Sequence, residues 1–483
     1  MPVRRARDHS CPAPGRPSIR SITESRINLM NFPTEFWQHR LDELRAEYHV
    51  PGAALGVVAD GTLHELASGV LNTATSVEVT PDSVFLSGST AKIYTAILIM
   101  RLVDAGKLDL DAPVIEVLPE FATPDPEATR QITVRHLLSH TGGVTNDFNY
   151  DSGRGDDCLA RYVEAARSVP LDCKPGTSYS YGSLGYVVLG RIVEILTGTT
   201  WDQALDEMLF QPLGLERSMT LPEQALRFRV AMGHTTGSNP EPAPVWDMMP
   251  RSAGPYGRVI TSAGDVARLA TMLLNGGAGP DGVRLLSEEA VAAMQRPQVT
   301  SPDKWTMSAE SWGLGPALYD WDGITGFGHD GSAITQHSYL RVVPSAGVVV
   351  VLLCNGGEFG KLYADLVGEL LVETAGVRIP PPFAPPASPL AVDMTALVGT
   401  YRRGGVEITI SEEDGRARIR YEFIEGMKHF SPPIETDLTA VSPSVFAATG
   451  GPSGEDYTPV IFGTLADGTP CVYVSMRATP KVG

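Results

Sequence analysis

The chain has 483 residues, 43% of them hydrophobic and 19% charged, so it is globular and long enough for more than one domain. Its 38 basic and 56 acidic side chains leave a net charge of −18, and no basic patch stands out. That balance argues against nucleic acid or an anionic membrane surface as a partner, and the acidity reads as plain solubility.

Residues 1–29 are rich in Arg and contain Pro but lack an apolar h-region. They predict a disordered leader or an over-called start, with Met30 opening a more ordinary beginning, rather than a secretory signal. No stretch approaches a transmembrane span, and the expected location is cytoplasmic. Phe36, Trp37, Leu41 and Leu44 recur at helical spacing and predict an amphipathic helix over 34–48. Two apolar runs, 53–59 and 63–70, flank Asp60-Gly61 and predict a tight hairpin.

Next stands Ser89-Thr90-Ala91-Lys92, at the head of an apolar run through Ile97, Leu98, Met100, Leu102 and Val103 to Gly106. The run is apolar nearly all round, which predicts a central, buried helix. On it, Ser89 and Lys92 share a face one turn apart. The helix N-terminus adds a partial positive charge and free N–H groups beside the hydroxyl. A serine nucleophile needs that combination: a base within reach and donors for the oxyanion formed on attack at a carbonyl. Burial also lowers the lysine pKa and makes a neutral amine accessible. A capped helix with a surface lysine is the competing reading. The spacing alone does not decide, because Ser301-Pro302-Asp303-Lys304 repeats it in a polar loop, read here as a decoy.

Thr133 is expected to cap a short helix that ends at Gly142 or Gly143. Within it, His136 and His140 lie four apart. With no Glu beside His136 and no third ligand, they read as structural rather than zinc-binding, and no cofactor is expected. The turn-rich run 174–181 leads into a helix carrying Leu184, Val187, Val188, Ile192, Val193 and Leu196 and ending at Gly198. Tyr181 stands at its entrance, as Ser89 stands at its own. Thr200 is expected to cap a helix with Trp201 and Leu205, and Thr261-Ser262 another with Val266, Leu269 and Leu273. Near 324 the period changes: His329-Asp330-Gly331-Ser332 leads into a strand over 339–343, a turn at 344–347, the apolar strand Val348–Cys354 and a helix over 359–375. These strands are expected to join the early hairpin in one antiparallel sheet around a helical middle.

A main domain is therefore expected over 30–378 and a stiff Pro-rich linker over 379–390. Beyond it, over 391–483, the runs 406–410, Arg416–Phe423, 457–465 and 470–476 predict a small antiparallel β domain, a barrel or sandwich. The fold class is α+β. Cys11, Cys158, Cys173, Cys354 and Cys471 are scattered and odd in number, which predicts no disulfide framework and fits a reducing compartment; a Cys158–Cys173 pair is left open.

Ser89-x-x-Lys92, Tyr181-x-Ser183 and His329-x-Gly331 occur in that order, flanked by 132–143, 175–185 and 328–332. With them the chain over 34–376 resembles the serine β-lactamase and penicillin-binding-protein family, nearest its class C-like branch. The resemblance implies an antiparallel sheet flanked by helices with a helical subdomain, and a lipocalin-like C-terminal domain. It implies Ser89 as the acylated nucleophile, Lys92 as the group that helps remove its proton, and Tyr181 as the proton shuttle to the leaving group. The backbone N–H groups of Ser89 and Ser332 would form the oxyanion hole, and Gly331 would leave room for substrate along its strand. Ser183 stands where the family usually has Asn, and its hydroxyl reaches less far. His329 stands where many members have Lys; a fractional charge there predicts a carboxylate anchor that weakens as pH rises.

Both departures turn the expectation from an efficient β-lactamase toward another ester, amide or thioester. The expected function is a serine acyl-enzyme hydrolase or acyltransferase acting on a small-molecule or peptidyl substrate, free or carrier-bound. A sharper version is a penicillin-binding-protein-type thioesterase that cyclises and releases a non-ribosomal peptide. A different class is a catalytically silent, ligand-binding relative. The C-terminal domain is expected to wall the cleft and select substrate.

Overall fold

The computed structural model describes residues 32–483 except 147, 280–281, 430 and 452–455. The expected leader and Cys11 lie outside the described residues. Thr34–Gly483 forms one compact unit.

Its centre is a sheet built from the chain's most apolar segments. Strand β1 (Gly52–Ala59) is buried along its whole length and turns through Asp60-Gly61 into β2 (Thr62–Asn72). The edge strand β3 (Val77–Glu78) follows, and the chain returns much later as β4 (Val299–Thr300), β5 (Ser311–Trp312), β6 (Ala317–Trp321), β7 (Ile324–Ala333), β8 (Gln336–Val343) and β9 (Val348–Cys354). The order across the sheet is β3-β2-β1-β9-β8-β7-β6-β5-β4, all antiparallel. The all-apolar β9 lies between β1 and β8, with Ala53 opposite Cys354 and Val58 opposite Val349, so early and late segments share one sheet as expected. A strand covered on both faces cannot alternate apolar and polar residues, which is why β1 and β9 read as continuous apolar runs.

Helices cover the sheet. Helix α1 (Thr34–Glu47) buries Trp37, Leu41 and Leu44 and packs on β2. Helix α2 (Ala91–Asp104) is buried except at its last turn. It joins one continuous core with α4 (Leu184–Thr197), α5 (Ala263–Leu274) and the sheet residues Ala54, Val58, Val349, Val351 and Leu353. The short α3 (Val134–Leu138) is capped by Thr133, whose hydroxyl accepts the His136 N–H while His136 Nδ1 accepts the Thr133 N–H. His136 is thus a capping residue. At the end of the sheet, α6 (Gly368–Ala375) ties back to α1 through the Arg40–Glu369 ion pair at 2.6 Å.

Residues 377–390 carry no regular structure, and Phe383 packs on Trp305. Eight strands then form a second sheet in sequence order: β10 (Gly399–Arg403), β11 (Val406–Glu413), β12 (Arg416–Phe423), β13 (Ile434–Ser442), β14 (Val445–Thr449), β15 (Tyr457–Thr464), β16 (Pro470–Val474) and β17 (Arg477–Pro480). Thr400 N–H donates to Gly483 C=O and Val482 N–H to Thr400 C=O, so the last residues pair with the first strand and the meander closes into a barrel-like sheet around its own apolar core. Cys158, Cys173, Cys354 and Cys471 are buried free thiols, so Cys158 and Cys173 are not bridged. Among the described residues no helix is long and apolar enough to cross a membrane.

Candidate active site

The site begins where α2 begins. Ser89 lies in a single 3₁₀ turn, Gly88–Thr90, that feeds directly into α2 and places Lys92 in the helix's first turn. Lys92 Nζ lies 3.2 Å from Ser89 Oγ and donates to the Tyr256 carbonyl at 3.0 Å. The amine is completely buried, against the rings of Tyr181 at 4.8 Å, Tyr256 at 5.3 Å and Tyr186 at 5.6 Å. Burial, with Arg477 as a second cation, holds its pKa well below the usual lysine range.

Two glycines let β7 come against this turn. Gly88 has φ +54°, and a Cβ there would collide with the Ser332 peptide. A Cβ on Gly331 would collide with the Ser87 carbonyl, 1.9 Å being impossible for carbon against oxygen, and would also meet Ser338 Oγ at 2.5 Å. The space at Gly331 therefore admits the nucleophile's own turn. Ser332 is exposed, with its backbone beside Gly88.

Tyr181 precedes α4 and is buried. Burial pushes its phenol up, while a hydrogen bond with the Ser89 hydroxyl and the Arg477 charge oppose the shift. Ser183 immediately precedes α4 without capping it; its Oγ instead lies 2.7 Å from the carboxamide of Asn146. The other side of that carboxamide faces the Arg477 guanidinium, with Nε at 3.2 Å and Nη2 at 3.1 Å. The amide orientation that satisfies both turns its nitrogen to Ser183 and its oxygen to Arg477. Arg477, at the start of β17 in the C-terminal sheet, also lies 5.4 Å over the Tyr181 ring.

His329 sits on β7 with no exposed surface, 6.2 Å from the Tyr181 ring and edge-on to Trp312 at 5.3 Å. Its Nδ1 lies 2.6 Å from the Asp330 carbonyl, which can only accept, so Nδ1 carries the proton. Burial, then the charge of Lys92, lowers its pKa to about 3. The fractional charge expected at neutrality is thus corrected: His329 is a neutral ring because it is desolvated beside a lysine and an arginine. His140 packs against Tyr181 at 4.4 Å and is likewise held neutral by burial. Its φ is +58°, and its Nδ1 accepts the Gly182 N–H at 3.2 Å.

Sequence reasoning on Ser89, Lys92, Tyr181, Ser183, His329, Gly331 and Ser332 thus selected residues that converge. It missed Arg477, Asn146 and Trp312, and placed His140 no further than a structural residue. Ser301 and Lys304 stand apart from the cleft chemistry: Ser301 Oγ donates to the Asp303 carbonyl, and Lys304 lies over Trp305. Among the described residues no cluster of His, Cys, Asp and Glu could hold a metal.

An all-antiparallel nine-stranded sheet under a buried helix, with a second antiparallel sheet after it, is a β-lactamase-like fold. The chain belongs to the beta-lactamase family, whose model matches residues 37–370. It is 59% identical over 378 residues to penicillin-binding protein 4 of Amycolatopsis lactamdurans, an alignment covering 78% of this chain and 99% of that one. It is 28% identical over 321 residues to the unguisins hydrolase of Aspergillus campestris, covering 64% and 59%. The crystal structure of SurE with D-Leu superposes with a TM-score of 0.74 at 29% identity, over 93% of this chain and 99% of that one. By its family and these relatives the chain is a β-lactamase-like hydrolase.

Proposed function

We propose that the chain is a serine acyl-enzyme hydrolase or acyltransferase that acts through Ser89 on a peptide, ester or amide. The observation that carries this reading is the contact of Ser89 Oγ with a fully buried Lys92 amine at 3.2 Å. A neutral Lys92 uses its N–H on the Tyr256 carbonyl and keeps a lone pair for the Ser89 proton. Ser89 Oγ then bonds to the substrate carbonyl carbon. The oxyanion forms between the backbone N–H groups of Ser89 and Ser332, where each donor is worth about 10²–10³ in rate. Tyr181, a protonated phenol in this setting, passes its proton to the leaving group and is reprotonated by the Lys92 ammonium, which holds the proton taken from Ser89. Water or an amine attacks the acyl-enzyme in the second step, giving an acid or a new amide and returning the proton to Ser89.

The test is a fluorophosphonate probe, in which the Ser89 Oγ–P bond forms as fluoride leaves. One adduct by intact mass on the wild type, mapped to Ser89 and lost in Ser89→Ala, is expected. An unlabelled wild type would favour a silent, ligand-binding protein.

Arg477 supports a substrate with an anionic group beside the scissile bond, since it brings a guanidinium to the cleft where His329 is neutral. Arg477→Met keeps the apolar stem. It is expected to lower kcat/KM about 10- to 100-fold for substrates carrying such a carboxylate, the scale of a charge-assisted hydrogen bond. Matched neutral esters should change little. An equal loss on both would overturn the assignment.

A second reading is cyclisation and release of a peptide from a thioester, which the same acyl-enzyme on Ser89 allows when the peptide's own amine, rather than water, attacks it. A peptidyl thioester with a free N-terminal amine tests it; linear acid as the sole product would overturn the cyclase reading while leaving the hydrolase in place. The division at 379–390 and a cleft-wall role for 391–483 are part of the same proposal.

A further inference from the structure

The segment that carries Tyr181 is held by the C-terminal sheet. Tyr181 N–H donates to the Met476 carbonyl at 3.0 Å, and Ala478 N–H donates to Ser180 Oγ at 3.2 Å. Ser178 Oγ and Tyr473 Oη are 2.6 Å apart, and Tyr179 Oη reaches Met476 Sδ at 3.9 Å. Every residue from 178 to 181 thus has a partner on the β16–β17 hairpin.

The turn of that hairpin is unusual. Its two residues, Ser475 and Met476, have φ of +50° and +69°. A two-residue turn of this hand favours Gly, Asn or Asp, and neither residue is one of them. Such strain persists where the surroundings over-determine it, and it concentrates at functional sites. Here the determinant is Asp303, which is 1% exposed. Its Oδ2 accepts the Met476 N–H at 3.0 Å and the Thr306 hydroxyl at 2.5 Å, while Oδ1 accepts the N–H groups of Trp305 and Thr306 at 3.1 and 3.0 Å. One residue, Met476, therefore stands between a buried carboxylate on its N–H side and Tyr181 on its carbonyl side. The next residue is Arg477.

We propose that Asp303 is a positioning residue of the active site: through the backbone of Met476 it sets where the Tyr181 phenol and the Arg477 guanidinium stand against Ser89. This rests on the acyl-enzyme reading of Ser89. On the opposite flank, Asp172 Oδ2 accepts the Ser180 hydroxyl at 2.9 Å, and Ser180 Oγ in turn accepts Ala478 N–H. The hairpin is latched from both sides, and the C-terminal sheet is a working part of the site.

An asparagine at 303 turns an NH₂ group toward a set of donors and breaks the latch without changing volume. Displacing a reacting group by an ångström costs on the order of 10²-fold. The experiment is the rate of fluorophosphonate labelling of Ser89, followed by intact mass on full-length protein, in a cycle of Asp303→Asn and Tyr181→Phe. Asp303→Asn is expected to slow labelling about 10²-fold when Tyr181 is present and by less than about twofold when it is Phe, because residues that act through one another are not additive. A general structural role would slow both backgrounds alike and would overturn the proposal, as would wild-type labelling in Asp303→Asn. If Asp303→Asn does not fold, Ser180→Ala releases the other latch and is read in the same cycle: the same non-additivity supports the proposal and additivity overturns it. An unlabelled wild type fails the acyl-enzyme reading itself, and this proposal with it, and is distinguishable from a labelled wild type with an unaffected variant.

Discussion

Replacing Lys92 with Met is expected to slow acylation of Ser89 about 10³-fold and, at the same time, to raise the melting temperature. The first effect is the loss of the general base, whose contribution falls in the range of about 10²–10⁴. The second follows from where the amine sits. Lys92 is wholly buried with a depressed pKa, so above that pKa the folded chain holds a neutral amine while the unfolded chain binds a proton up to the model-peptide lysine value. The sign is fixed by the excess protons of the unfolded state: this contribution to stability rises with pH between the two pKa values and falls as pH drops. Met has similar length and no amine, so the variant removes one proton of uptake, about 1.4 kcal/mol per pH unit across that window. Wild-type acylation should itself climb with pH through the lowered lysine pKa and level off far below the value of a free lysine. Urea unfolding and fluorophosphonate labelling between pH 6 and 9 measure both effects. A variant that is equally reactive, or whose stability has the same pH slope as the wild type, would contradict a buried neutral base.

The parts of this molecule legible in its sequence are those set by local spacing. Ser89 and Lys92 are linked by one helical turn, Asp60-Gly61 by a tight hairpin, and β1 and β9 by unbroken apolar composition, so each announced itself. Arg477 did not. The stretch read as one run over 470–476 is a strand to Val474, a two-residue turn and a new strand from Arg477, because Ser475 and Met476 adopt left-handed angles without the Gly or Asn that would mark them. Asn146 was silent for another reason: its neighbours Ser183 and Arg477 come from a helix start and a strand of the other sheet. The charge of His329 was misjudged because residue type gives an ordinary pKa, while burial comes only from packing. The same holds for Asp303, which looked like part of a decoy motif and proves to be a buried acceptor of four hydrogen bonds.

Burial of neutral imidazoles sets the behaviour of the protein in acid. Burial lowers the pKa values of His329 and His337 to about 3; the His337 ring lies flat on Phe359. In the unfolded chain each takes up a proton below about 6.5, and in the folded chain neither does until about 3. Each therefore contributes stability that is complete above 6.5 and lost as pH falls toward 3. Buried acids work against this, since burial pushes Asp265 up to about 6 and also raises Asp303 and Asp330. The net curve mixes both signs, so the informative quantity is the difference between wild type and a single variant. His337→Leu is expected to lose one proton of uptake on unfolding, which makes it about 3 kcal/mol less acid-sensitive than the wild type between pH 6.5 and 4. His329→Gln should show the same difference. Urea unfolding at half-unit pH steps measures it, and parallel pH profiles for wild type and both variants would show that these rings are charged or accessible in the folded chain. Because His329 is neutral throughout, KM of the wild type should stay flat from pH 5.5 to 8, where an imidazolium anchor would weaken as pH rose.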